Sequence, residues 1–376
     1  MVSRRQQGKR KKTRKIRGRI AHARSHKSHT RVKRSKTAGN NHRVRASVMP
    51  FQAEAAAANA SYEEALISGI IQQKYSSVTY EPAALLARLL LSLTKSMRTL
   101  SYKSGITTGK ELYRITSSGK RYYWYEESIP DLISFLERSL GVPVSYSFLH
   151  NGIRIRSYGR NPVYLGANMH TFEAGIIAGF ITAASHQAVN ISEQVCSNNN
   201  SDYCEFVPSV HGYDESEIEM EKAVSRFAEH VSMMVKTPST PSVQQKPIPC
   251  SYHALLVRPL LNSEYLEAVD NISAYIGSKV AQHLFDDKKP RPSKILDYLS
   301  KSAILLNFGA PTIKPSHDHA ILNMDFVFSP EASKKEYVEL SLAFINGLMS
   351  KASRPDVSFE MKSKGSSYLL RMKEKA

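Results

Sequence analysis

The excess positive charge of this chain is confined to one end, and that partition decides which residues can fold. Eighteen of the 52 lysines and arginines fall in the first fifty residues, where no acid precedes Glu54. The remainder carries 52 − 18 = 34 basic residues against 33 acidic ones, so a neutral body follows a polycationic tail. The tail holds Arg4, Arg5, Lys9, Arg10, Lys11, Lys12, Arg14, Lys15, Arg17, Arg19, Arg24, Lys27, Arg31, Lys33, Arg34, Lys36, Arg43 and Arg45, with His22, His26, His29 and His42 among them. With so few apolar side chains it cannot bury enough surface to offset the entropy of ordering, and it is expected to be disordered when free. Cations at this density suit phosphates and bind without reading base sequence, in a salt-sensitive way. A DNA, RNA or ribonucleoprotein partner is therefore expected. An organelle transit peptide, a polybasic segment lying on anionic lipid, and a virion or packaging segment cleaved near "FQAEAAAANA" are the competing readings.

The body has the composition of a globular protein, with 41% hydrophobic and 9% aromatic residues in the whole chain. Three cysteines are too few for a disulfide scaffold, and the apolar runs are too short to span a bilayer. A cytoplasmic protein follows, associated with a nucleoid or ribosome through its tail. The expected order is a tail over 1–50, a linker and short helix over 51–80, a first domain with a trailing helix over 81–236, a Pro-rich linker over 237–250 and a second domain over 251–376. "EPAALLARLLLSLTKSMRTL" reads as one buried helix, "SIPDLISFLERSLG" as a helix and "PVSYSFLHNGIRIRSY" as a hairpin. "RYYWYEES" reads as a strand with a half-buried face.

The two domains close alike: helix, strand ending in Glu, polar turn, strand. A shift of 360 − 193 = 167 lays Glu360 on Glu193, Tyr337 on His170, Asn346 on Gly179 and Ser363 on Cys196; a one-residue deletion in the turn then lays Leu370 on Cys204. The pattern reads as a tandem duplication with a degenerate second copy.

Two of the three cysteines bracket "CSNNNSDYC", Cys196 to Cys204. On the arms of a hairpin their sulfurs approach one another, and three readings stand open: metal thiolates, a disulfide, or two inert buried thiols. Glu193 lies three residues before Cys196, so strict alternation opposes it to that cysteine; a bend or bulge must bring the two together. Ala174, Gly175, Ala178, Gly179 and Ala183 recur at helical spacing, which permits a close backbone approach to a sheet or partner helix.

The run "HTFEAGIIAGFITAASHQAVNISEQVCSNNNSDYCEF" resembles the 4-vinyl reductase domain, found also as the sensor of phenol-responsive transcription activators and sharing its fold with TRAPP vesicle-tethering subunits. The resemblance is carried by Gly175 and Gly179 on the helix, by Glu193, Cys196 and Cys204, and by Phe206; it extends over about 85–210 and more faintly over 255–376. It implies an α+β fold with helices packed on an antiparallel sheet, in tandem here. It further implies a structural Zn²⁺ in the first domain, held by His170, Glu193, Cys196 and Cys204, with His170 standing where the zinc-bearing sensors place a further cysteine. The counterparts Tyr337, Glu360, Ser363 and Leu370 cannot hold zinc, so the second domain is expected to be metal-free. A small apolar ligand is a further implication, with no pocket residue assigned.

No nucleophile elbow, phosphate-binding glycine loop, zinc-protease motif or dinucleotide fingerprint occurs. The expectation is a non-enzymatic regulatory or binding protein. The alternatives are a TRAPP-like interaction scaffold, dimeric or docking a protein partner through its helical face, and a processed virion or packaging protein.

Overall fold

The computed structural model describes residues 62–73, 78–79, 81–150, 152–159, 163–210, 218–237, 248–261, 264–285, 292–306, 308, 310–315, 319–325, 334–352, 357–364 and 367–374, all within one compact unit. The tail, the "FQAEAAAANA" region and most of the Pro-rich linker lie outside the described residues.

Helix α1 runs over 62–71. The short strand β1 (Val78–Thr79) leads into α2 (Glu81–Ser92), with Pro82 in its first turn where a missing N–H costs nothing. The long run expected as a single helix is broken: Thr94 is extended, and its Oγ1 caps a new helix, α3 (Lys95–Ser117), by accepting from Met97 N at 3.1 Å. Threonine favours this capping role over a helix interior, which is why the chain turns here. Next come α4 (Ile129–Leu140), closed by Gly141 in the left-handed conformation at φ 64°, and the hairpin β2 (Val144–Leu149) and β3 (Gly152–Tyr158). The stretch "RYYWYEES" is not a strand: Tyr125–Ser128 form a 3-10 turn, and Tyr123 and Trp124 are 84% and 71% exposed. Tyr123 N donates to Glu127 Oε2 at 3.0 Å, a local bond that replaces a strand ladder.

Helix α5 (Thr171–Ser185) precedes β4 (Ile191–Val195) and β5 (Tyr203–Pro208), and the four strands form an antiparallel sheet in the order β2-β3-β5-β4. α6 (Met220–Lys236) follows. After the linker, β6 (Ile248–Pro249) pairs with β1 and leads into α7 (Cys250–Val257), α8 (Leu266–Phe285) and α9 (Pro292–Leu305). β7 (Ala310–Pro315), β8 (His319–Asp325), α10 (Lys334–Ala352), β9 (Val357–Lys364) and β10 (Ser367–Glu374) complete the chain. The second sheet runs β7-β8-β10-β9, the same order as the first.

In each half one pair of helices packs backbone to backbone. A Cβ on Gly105 or Gly109 of α3 would strike the Phe172 or Ile176 carbonyl of α5, and one on Gly175 or Gly179 would strike Tyr102 or Ile106 of α3. The partner helix permitted by the small-residue pattern is thus α3, which brings two glycines of its own at the same four-residue spacing. In the second half, Gly277 of α8 and Gly347 of α10 meet Phe344 and Ala274 in the same way.

The halves share one apolar core, running from Ile67 to Met349. α6, expected as a trailing helix of the first half, packs on α8 and α9 as well as on α2, and Ser232 Oγ donates to the Val280 carbonyl at 3.2 Å. α7 packs back on α2.

Candidate metal centre

Helix α5 packs on β4, and its start is tied to the β4–β5 hairpin. His170 occupies the N-cap of α5 and donates its backbone N–H to Glu193 Oε2 at 2.9 Å. A carboxylate at a helix N-terminus also meets the positive end of the helix dipole. Asn168 Nδ2 holds the Glu193 carbonyl at 3.0 Å.

The bulge that the spacing of Glu193 and Cys196 demands is present. Glu193 pairs with Phe206 and Val195 with Glu205, so the register shifts between Glu193 and Val195, and Gln194 is the surplus residue. The shift undoes the alternation and lets Glu193 face Cys196. Beyond it, Ser197–Asn199 make a 3-10 turn, Asn199 N donates to the Cys196 carbonyl at 2.9 Å, and Asn200 takes the left-handed conformation at φ 64° that asparagine tolerates best among side-chain-bearing residues. Cys204 then arrives on β5.

The four ligand atoms of His170, Glu193, Cys196 and Cys204 lie within 4.8 Å of one another, and all four residues are buried. His170 Nδ1 stands 2.7 Å from Glu193 Oε1, 3.5 Å from Cys196 Sγ and 3.6 Å from Cys204 Sγ. Both cysteines are free, so the pair is not a disulfide. Ser197 supports the Cys204 sulfur twice, with its N–H and its Oγ each at 3.2 Å. Phe206 packs edge-on to the imidazole at 6.4 Å.

These distances suit a tetrahedral ion. Metal–sulfur bonds of about 2.3 Å and a metal–nitrogen bond of about 2.0 Å at tetrahedral angles set each N···S edge near about 3.5 Å. The two observed N···S distances, 3.5 and 3.6 Å, match that edge. The 2.7 Å His170–Glu193 pair is instead a hydrogen bond, about half an ångström shorter than the corresponding N···O edge, and must open to admit the ion.

The electrostatics are those of a thiolate site. Burial would push the His170 imidazole towards neutrality, but the charges of Cys204 and Glu193 beside it lift its pKa well above the ordinary value. The Cys204 thiol is lowered by its bond from Cys196, against burial, and then by His170 and the Ser197 amide. Burial, followed by the bond to Cys204, pushes Cys196 up. These neighbours favour the thiolate form of Cys204, and a divalent cation would supply the charge needed to ionise Cys196.

One turn further into α5, Glu173 is fully buried against Arg88 of α2, and Arg88 Nε and Nη2 both donate to its Oε1 at 2.9 and 2.6 Å. Tyr252 of α7 donates to the same oxygen at 2.6 Å. Burial alone would raise the Glu173 carboxyl; the Arg88 guanidinium overrides it and holds the group below the carboxylate norm. Sequence reasoning missed this trio because α7 was not foreseen beyond the prolines. A signal was there: "ALLARLLL" at Ala84 returns as "ALLVRPLL" at Ala254, 254 − 84 = 170 residues on, and lays Arg258 on Arg88.

The second half gathers no such set among the described residues. With Glu360 paired to Arg371 as Glu193 is to Phe206, the paired positions are 371 − 360 = 11 residues apart against 206 − 193 = 13, so the ladder lays Leu369, not Leu370, on Cys204. The close-approach glycine of α10 is Gly347, one position beyond the Asn346 that the uniform shift of 167 selects. No helix among the described residues is long and apolar enough to cross a membrane. The tail cations Arg4 to Arg45 lie outside the described residues. Compared with models of known protein families and with curated protein sequences, the chain matches none.

Proposed function

We propose that this chain is a non-enzymatic regulatory or binding protein made of two tandem 4-vinyl-reductase-like repeats. The first is built around a structural zinc ion, the second has none, and residues 1–50 hold the protein on DNA, RNA or a ribonucleoprotein. The observation that carries the reading is the buried convergence of His170, Glu193, Cys196 and Cys204. Two thiolates select a soft ion over magnesium or calcium, and four protein donors fill a tetrahedral shell, an arrangement suited to holding structure rather than activating water. The duplication is supported by the common strand order, the glycine-packed helix pairs and the recurrence of Arg88 as Arg258. The nucleic-acid partner is supported by the eighteen tail cations alone, and sensing of a small apolar ligand by the resemblance alone.

Native mass spectrometry of the full chain tests the metal: one zinc per chain is expected, and none, with inductively coupled plasma analysis agreeing, refutes it. A filter-binding salt titration tests the tail. Deleting residues 1–50 is expected to weaken binding and flatten the salt slope; equal binding with an equal slope ends the nucleic-acid reading.

A second reading, a TRAPP-like interaction scaffold, is favoured by the exposed Tyr123 and Trp124, since aromatic side chains standing in water are common at interfaces. Light scattering and crosslinking separate the two readings, because a scaffold holds a stable partner regardless of nucleic acid.

A further inference from the structure

The trio of Arg88, Glu173 and Tyr252 is more than a core ion pair, because of which oxygen it leaves unused. All three donated hydrogen bonds fall on Glu173 Oε1, and Glu173 Oε2, fully buried, has no partner. A buried carboxylate oxygen without a donor is costly unless a charged or N–H group stands nearby. Glu173 is the third residue of α5, three positions after the His170 N-cap. Every contact of the His170 ring with Glu193, Cys196 and Cys204 is made by Nδ1, which leaves Nε2 free of that set. Metal-bound imidazoles generally donate that second N–H to a carboxylate, which fixes the ring and strengthens it as a ligand.

We propose that Glu173 is the positioning carboxylate of the His170 ligand and that Tyr252, reaching in from beyond the Pro-rich linker, holds Glu173 in place, so that metal affinity in the first half depends on docking of the second. The inference rests on the metal reading above and extends it. A residue of the second half touches the carboxylate next to the ligand shell, so the two events share a free energy: docking raises metal affinity, and metal raises docking by the same factor.

The molecule supplies its own control. Glu63 of α1 is also buried; it accepts from Thr108 at 2.6 Å and pairs with Arg258, the repeat counterpart of Arg88. It too ties the halves together, but no metal-ligand candidate lies beside it in sequence or among its bonded partners.

The test uses the full chain, with zinc affinity measured by competition against a chromophoric chelator. Tyr252→Phe removes one hydroxyl and is expected to weaken zinc by about fivefold or more. Glu173→Gln is expected to weaken it by about ten- to a hundredfold, and Glu63→Gln to leave it within about twofold. With cobalt as the probe, Tyr252→Phe shifts the ligand-field bands while the thiolate charge-transfer band keeps its intensity, a signature that a loss of packing alone would not give. Wild-type affinity in both Tyr252→Phe and Glu173→Gln overturns the inference on its own, as does an equal loss in Glu63→Gln, which would mark a general effect of docking. Wild-type protein that takes up no zinc overturns it together with the metal reading. Should Glu173→Gln fail to fold, with Arg88 left buried and unpaired, Tyr252→Phe decides.

Discussion

The first and second halves share a plan and differ in one strand. Both carry a sheet with the same strand order and a helix pair in contact through glycine. In the first, β4 is interrupted by a bulge at Gln194; in the second, β9 pairs with β10 through an unbroken register from Val357 to Lys364. The regular ladder of β9 holds no surplus residue between positions 360 and 363, whereas the bulge brings Glu193 and Cys196 to one face. A metal centre in this architecture therefore needs more than ligand residues. It needs the surplus residue that aims them.

The largest expected effect tests that difference directly. Cys204→Ala is expected to abolish zinc uptake and to strip hydrogen-exchange protection from β4, β5 and the start of α5, while β9 and β10 keep theirs; chelation of the wild-type metal reproduces the pattern. Equal loss in both hairpins would make the halves one cooperative unit around the metal.

The glycine seams test the likeness. Gly109→Ala and Gly347→Ala each drive a methyl group into a backbone carbonyl of the facing helix, and each is expected to cost about 3 kcal/mol or more in urea unfolding. A large cost in one half and none in the other would break the structural parallel.

A somewhat smaller effect concerns a buried histidine of the second half. His253 of α7, fully buried, has its pKa lowered to about 4 by desolvation, against a bond to the Ala83 backbone. Its folded value lies below its unfolded one, so its contribution to stability is present above about pH 6.5 and is lost as pH falls towards about 4, amounting to about 3 kcal/mol. His253→Gln is expected to flatten the pH dependence of unfolding in that window, measured on zinc-free protein so that release of the ion does not intrude.

The smallest expected response is none. Tyr337→His, Ser363→Cys and Leu369→Cys together supply the second half with a ligand set by residue type at the ladder-matched positions, and no second zinc is expected because β9 lacks the bulge. Uptake of two equivalents would show that residue type suffices.

Much of this was legible in the sequence, and for reasons of spacing. The converging donor set and the necessity of a bulge followed from Glu193, Cys196 and Cys204 together with the resemblance that picked out His170. The hairpins showed through alternation about polar turns. Two of the failures share a cause: each turned on a local hydrogen bond that leaves little trace in hydropathy. Thr94 breaks an apolar run by capping Met97, and Glu127 draws "RYYW" into a turn by bonding to Tyr123. Helix α7 stayed hidden because its eight residues follow a proline cluster and carry no amphipathic period. Its apolar residues are buried all round by both halves, so only comparison with Ala84–Leu91 reveals it. Ser197, which steadies the Cys204 sulfur, carried no motif of its own.

The glycine seam between α3 and α5 has a mechanical consequence. Where side chains interdigitate, helices can tilt by changing rotamers; where one backbone rests on another, there are no rotamers to change. Any displacement begun at the cysteines must then travel through α3 and α5 as a single stiff beam, and the compliance of the first half is left to its hairpins and loops.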